Sequence, residues 1–273
     1  NSLVKMTLPF VGGSRSTSGS AEKTNSMTWD GGSKYLFGYI FGGETYRCSS
    51  GSNSSTIVYT GSVPAGTTYQ GASSYGDAYK SGRWTRYRHY IEVYYIPSSL
   101  REIVITDATG ISANAFYNCT MLTSITLNEG ITAIYDRAFY NCDGLTEMVI
   151  PESVTSVGTY AFAESGNLAK VTLPGGLTAI ADYTFQNCTS LASLNGNGEV
   201  VVGANVTSIG GQAFTNCSQI TSFTMQGVVT RIGAQAFDGC LNLIRINSEV
   251  DGKIVLQEGL TSVGNYAFSK LGK

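Results

Sequence analysis

From residue 100 onward, short apolar-polar alternations recur at a fixed spacing. The segments LTSITL, LTEMVI, LAKVTL, LASLNG, ITSFTM and LIRIN each read as a brief strand. In the first, side-chain alternation sends Leu122, Ile125 and Leu127 inward and Ser124 and Thr126 outward. Each strand is preceded by a segment built on Ala-Phe, as in SANAFYNCTML, YDRAFYNCDGL and GGQAFTNCSQI. The phenylalanines fall at 116, 139, 162, 185, 214, 237 and 268, so the gaps are 23, 23, 23, 29, 23 and 31 residues. Upstream of them, Ile131, Val154, Leu177, Val206, Val228 and Leu260 open segments of the form VTSIG. The glycines of that segment, Gly158, Gly210 and Gly264, are placed for a tight turn with positive φ.

One such strand has no way to bury its apolar face alone. Stacked copies, at about 4.8 Å per rung, share a core and form a parallel sheet. The period therefore predicts a repeat solenoid, mainly β with short helical or irregular turns. Seven copies give a length on the order of 35 Å. The Phe column is expected to be a buried ladder. Two longer spacers, GNGEVVVGAN at 196–205 and SEVDGKIVLQEG at 248–259, interrupt the register; Val200–Val202 and 253–256 each have strand character.

The 23-residue unit, with its Ala-Phe, Cys and Leu columns, resembles the bacterial leucine-rich repeats of the BspA type, also described as treponemal-type repeats. The resemblance covers roughly residues 100–273, with LVKMTLP at 3–9 matching the strand of a further copy. Ser165 departs from the Cys column and Thr184 from the Ala column. The resemblance implies a right-handed solenoid with a parallel sheet on its concave side, in a secreted or surface-anchored bacterial protein with a binding or adhesive role. It names no ligand.

The expected organisation is an incomplete repeat at 1–9, a β-rich insertion at 10–99 and the solenoid at 100–273. In the insertion, Leu36, Phe37, Tyr39, Ile40 and Phe41 form an apolar block suited to replace the missing Ala-Phe plug. SSTIVYTG and RWTRYRHYIEVYY read as strands. On the second, alternation puts Trp84, Arg86, Arg88, Tyr90 and Glu92 on one face, with Tyr87, His89, Ile91 and Val93 on the other. The first face has the composition that binds acidic or sugar ligands by stacking and charge. Its alternative is a solvated hairpin face whose Arg stems cover Trp84 and Tyr90. Residues 10–99 hold eight Lys/Arg against five Asp/Glu, net +3, while the rest carries net −5, so an acidic partner would meet the insertion first.

Composition removes several classes of function. With 42% hydrophobic and 13% charged residues, disorder driven by charge is excluded. A net charge of −2 argues against nucleic acid as partner. No run of eighteen apolar residues is present for membrane insertion. The sequence opens at Asn1 without a leader pattern, as expected of a processed or excised start. His89 is the single histidine, in a stretch without a catalytic motif, so no catalytic residue, metal or cofactor is expected. Five of the six cysteines, at 119, 142, 188, 217 and 240, share one column. Parallel side chains about 4.8 Å apart are too far for a disulfide, so free buried thiols are expected. Asn118, Asn187 and Asn216 begin N-x-S/T sequences but sit at a fixed repeat position, which favours a turn role with the amide bonded to nearby backbone.

Two outward columns run along the strands. One is Ser124, Glu147, Lys170, Ser193, Ser222 and Arg245; the next is Thr126, Val149, Thr172, Asn195, Thr224 and Asn247. They are poor in hot-spot residue types. The expected function is a non-enzymatic cell-surface or secreted scaffold for a protein or glycan, with Trp84, Arg86, Arg88 and Tyr90 as the binding strip. The alternative is a structural spacer that holds another domain away from the cell.

Overall fold

The computed structural model describes residues 4–8, 99–196 and 198–271, together with the backbone of the strands Gly43–Arg47, Thr67–Ser74, Tyr79–Lys80, Arg83–Trp84 and Tyr90–Pro97. No helix occurs among the described residues; the solenoid is built of short parallel strands and irregular turns.

Three backbone ladders enclose the core. The first side begins with the three-stranded set Lys5–Leu8, Glu102–Ile105 and Ser124–Thr126. A six-stranded set continues it: Glu147–Val149, Lys170–Thr172, Ser193–Leu194, Val200–Val202, Ser222–Met225 and Arg245–Ile246. Lys5–Leu8 pairs in parallel with Glu102–Ile105, although more than ninety residues separate them in sequence. The second side carries two-residue strands such as Ala133–Ile134 and Ser156–Val157, also parallel. The third ladder is the Ala-Phe segment itself. There each turn donates to the next, as in Phe116 N–H to Ala138 O at 2.8 Å and Phe139 N–H to Ala161 O at 2.8 Å. On the second side the direction reverses, with Thr132 N–H donating to Thr109 O at 2.9 Å. Buried backbone groups are thus paired between turns.

The phenylalanines fill the space between the ladders. Phe116, Phe139, Phe162, Phe185, Phe214 and Phe237 are all 0% exposed. Successive rings stack at 5.2–5.6 Å, nearly parallel except for a 16° tilt between Phe185 and Phe214. That pair brackets the 196–205 spacer, where the first side gains the strand Val200–Val202 and the other two ladders gain nothing. An added rung on one side fans neighbouring turns apart. Phe223 adds a ring to the core here, lying edge-on to Phe214 and to Phe237 at 74° and 78°. The second spacer adds a smaller piece, a parallel bridge from Ile246 to Ile254.

Each Ala-Phe turn is held by a pair of left-handed residues four apart, such as Arg137 and Asn141 or Tyr160 and Glu164, with φ between 51° and 76°. The VTSIG glycines serve differently from the expectation. Gly158, Gly210 and Gly264 do not have positive φ. They sit where neighbouring turns touch: a Cβ on Gly158 would lie 2.6 Å from Asp136 N, and one on Gly210 2.5 Å from Asp182 N. Close approach, not turn conformation, requires them. One register assignment also changes. Val229 is the buried residue that opens its segment, at 1% exposure, while Val228 is 58% exposed.

Candidate binding surfaces

Most polar side chains of the regular turns are tied to the scaffold. The cysteine column is a ladder of S–H donors. Cys142, Cys188, Cys217 and Cys240 donate to the carbonyls of Phe116, Phe162, Phe185 and Phe214 at 3.0–3.1 Å. Ser165 fits the same column because its hydroxyl donates to Phe139 O at 3.1 Å and accepts from Cys142 N–H at 3.0 Å. Thr184 is buried without strain because its hydroxyl donates to Ala181 O at 2.9 Å. The five described thiols are free and buried, as the ladder spacing predicts. Burial pushes their pKa values up, Cys240 to about 12, so they are poor nucleophiles.

The carboxylates are used in the same way. Asp136 accepts from Thr159 N–H at 2.9 Å, Asp143 from Gly166 N–H at 2.7 Å and Asp182 from Gly211 N–H at 2.6 Å. Asn118, Asn187 and Asn216 adopt left-handed turn conformations, φ 59–62°. Their amides pair with side chains at the same position of neighbouring turns rather than with backbone: Asn141 donates to Asn118, Asn187 to Glu164 at 2.6 Å and Asn216 to Asn187 at 2.7 Å. Among the described residues no group of three or more His, Cys, Asp or Glu is placed to hold a metal ion. No helix among them is long and apolar enough to cross a membrane.

The turn face carries aromatic clusters that the sequence reading passed over. Tyr117 stacks on Tyr140 at 4.9 Å, and Tyr160 on Tyr183 at 4.3 Å, with the Arg137 guanidinium 4.7 Å above the Tyr160 ring. Their signal was the repetition of Tyr in consecutive copies at two repeat positions, directly after the Phe and two residues before it.

The outward columns of the first side are partly covered. Ser193 and Ser222 are buried, at 7% and 3% exposure. Arg245 reaches Glu199 at 3.2 Å and Asp251 at 2.8 Å, linking the two spacers. Asn195 and Asn247 do not present free amides. Each is left-handed, accepts a backbone N–H from an earlier turn (Leu173 at 2.6 Å, Met225 at 2.8 Å) and donates to the spacer (Val201 O at 3.3 Å, Val255 O at 3.0 Å). The expectation of two open columns fails here because each spacer folds back beside the sheet.

The folding back leaves a concavity of about 660 Å³, walled by the ends of the strands and by the turn at 203–205. Glu152, Lys170, Thr172, Asn195, Asn205 and Gln226 contribute its polar groups. Glu152 accepts from Gly175 N–H at 2.8 Å and Asn205 donates to Gly175 O at 2.8 Å, so two of its walls are pinned.

The sequence-predicted strip is only partly described. Trp84 belongs to the strand Arg83–Trp84, paired antiparallel with Tyr79–Lys80. Tyr90 opens the strand Tyr90–Pro97, which lies between Gly43–Arg47 and Thr67–Ser74. The two residues therefore sit on different sheets. Arg86, Arg88, the 36–41 block and SSTIVYTG lie outside the described residues.

Comparison with known proteins follows the architecture. The model of the BspA type leucine rich repeat region matches residues 91–202 and 197–272, in six copies. No curated protein matches the chain. A leucine-rich repeat protein from Eubacterium ventriosum shares 20% identity at a TM-score of 0.51, over 66% of this chain and 48% of that one. The leucine rich repeat protein of T. pallidum is 27% identical at a TM-score of 0.35, covering 45% of this chain and 65% of its own. A leucine rich cell surface protein of Faecalibacterium prausnitzii is 27% identical at a TM-score of 0.41, covering 62% and 58%. The chain spans less than two thirds of the length of each. With the repeat match running over most of its length and parallel strand pairing from Glu102 onward, the chain belongs to the BspA-type leucine-rich repeat family.

Proposed function

We propose that this chain is a non-enzymatic binding scaffold, secreted or displayed on a bacterial cell surface, that engages a protein or glycan partner in an adhesive role. The observation that carries the reading is the six-copy match to the BspA type leucine rich repeat region. The use of side chains in the turns supports it: the thiols are neutral and buried, and Asp136, Asp143 and Asp182 are held by backbone N–H groups. Such groups supply shape, not acid-base chemistry.

The partner surface in this proposal includes Trp84, Arg86, Arg88 and Tyr90. Contact energy concentrates on Trp, Tyr and Arg, and the insertion carries net positive charge. A glycan and host-protein array identifies the partner. The Trp84→Ala, Arg86→Ala double variant is then expected to lose about tenfold or more in affinity. Unchanged affinity in a variant with wild-type circular dichroism would move the contact to the repeats. The spacer alternative draws on the covered serines of the first side. It is favoured if the array stays blank for the folded chain.

A further inference from the structure

We propose that the concavity beside the 196–205 spacer is a binding site for a neutral, hydroxyl-rich saccharide unit. Its volume of about 660 Å³ lies within the range of small-ligand sites. Its lining decides the ligand class. Lys170 and Glu152 contribute opposite charges, so the site gives no net attraction to a strongly ionic ligand. Among the described residues Leu173 is the one large apolar side chain on the wall and is itself buried, so an apolar ligand would gain little. A peptide captured by main-chain pairing needs a free strand edge. Here Lys170–Thr172, Ser193–Leu194, Val200–Val202 and Ser222–Met225 each have a paired neighbour on both sides.

What remains is a set of hydrogen-bonding groups suited to hydroxyls. Asn195 is used on both ends of its amide and acts as wall. Glu152 keeps one carboxylate oxygen beyond its bond to Gly175, and Asn205 keeps its carbonyl oxygen. Lys170, Thr172 and Gln226 add an ammonium, a hydroxyl and an amide. Donors and acceptors together on one cleft match the paired donor-acceptor character of vicinal hydroxyls. Pinned walls reduce the ordering cost of binding. The site exists because the spacer adds a rung: Gly203, Ala204 and Asn205 form the wall beyond Val200–Val202.

The test is amide NMR of the intact chain with methyl α-mannoside, methyl β-galactoside and N-acetylglucosamine. N-acetylneuraminic acid and a neutral Gly-Ser tetrapeptide are the controls, and lactose distinguishes a chain terminus from a single residue. At least one neutral sugar is expected to produce saturable shifts at Gly196, Gly203 and Ala204. Gln226→Ala should weaken it about fivefold, the effect of one neutral hydrogen bond, and Lys170→Ala about tenfold or more, because its ammonium makes a charge-assisted one. The Trp84→Ala, Arg86→Ala variant should leave these shifts unchanged, which separates this site from the insertion strip. Absence of saturable shifts with every neutral sugar would overturn the assignment. So would stronger occupation by the acid or the peptide.

Discussion

The regular turns and the two spacer junctions are built from the same strands but treat their polar groups differently. Between Phe116 and Phe185 each turn repeats at 23 residues, the rings stack within 8° of parallel, and carboxylates and thiols close backbone bonds on the neighbouring turn. At the junctions an asparagine in the left-handed region starts an excursion, and its amide stitches the added segment to an earlier turn. Regular turns repeat one surface at a fixed spacing. Junctions break the one-to-one correspondence among the three ladders and thereby make relief. In a quasi-one-dimensional protein, a local insertion of this kind forms a cleft without disturbing distant turns.

The contrast is sharpest in the core. Phe162 lies between two stacked neighbours and is 0% exposed, so Phe162→Ala is expected to cost about 3–5 kcal/mol in chemical denaturation. Phe268 stacks on Phe237 and is only partly buried, so the same change there should cost clearly less. Equal losses would mean that the ladder does not cooperate as described.

Alkaline pH probes the thiol column as a set. Burial raises the folded-state pKa of each described thiol above the usual thiol range, Cys240 to about 12. The unfolded chain therefore loses these protons first. Stability is full below about pH 8.5 and falls as pH rises through the window up to the folded values. The expected slope is on the order of 1 kcal/mol per pH unit for each thiol. Urea midpoints between pH 8 and 10.5 measure it, and a Cys188→Ser variant should show a shallower slope. Alkylation at pH 8 should be slow in the native state.

Ser165 tests whether the column works through hydrogen bonding or through size. Ser165→Ala removes the partner of Phe139 O and of Cys142 N–H and should cost about 1–3 kcal/mol. Ser165→Cys restores a donor and the column's usual residue, and should recover most of that loss. Equal destabilisation by both would reduce the ladder to packing alone.

Much of the fold was legible because it is periodic. Burial of the Phe column, the parallel ladders, the free thiols and the strand character of Val200–Val202 follow from repeat spacing and alternation. Contacts between turns were less legible. Sequence assigned Gly158 to a strained turn, whereas the constraint is the preceding turn's backbone. The open columns expected at Ser193, Asn195, Ser222 and Asn247 ignored what a spacer does after leaving the strand. Alternation gives the face of a residue but not what later folds over it. The concavity had no sequence signature for the same reason: Glu152, Lys170, Asn205 and Gln226 come from four separate segments.

The most direct measurement is residue-resolved amide hydrogen exchange across 193–226. If the spacer is a true rung of the sheet, Val201 and Val202 exchange with protection close to that of Thr224 and Met225, their parallel neighbours, while Ala204 exchanges freely in the turn. Exchange at Val201 and Val202 as fast as at Ala204 would contradict the account, because the excursion would then be a surface loop and the cleft beside it would have no fixed wall.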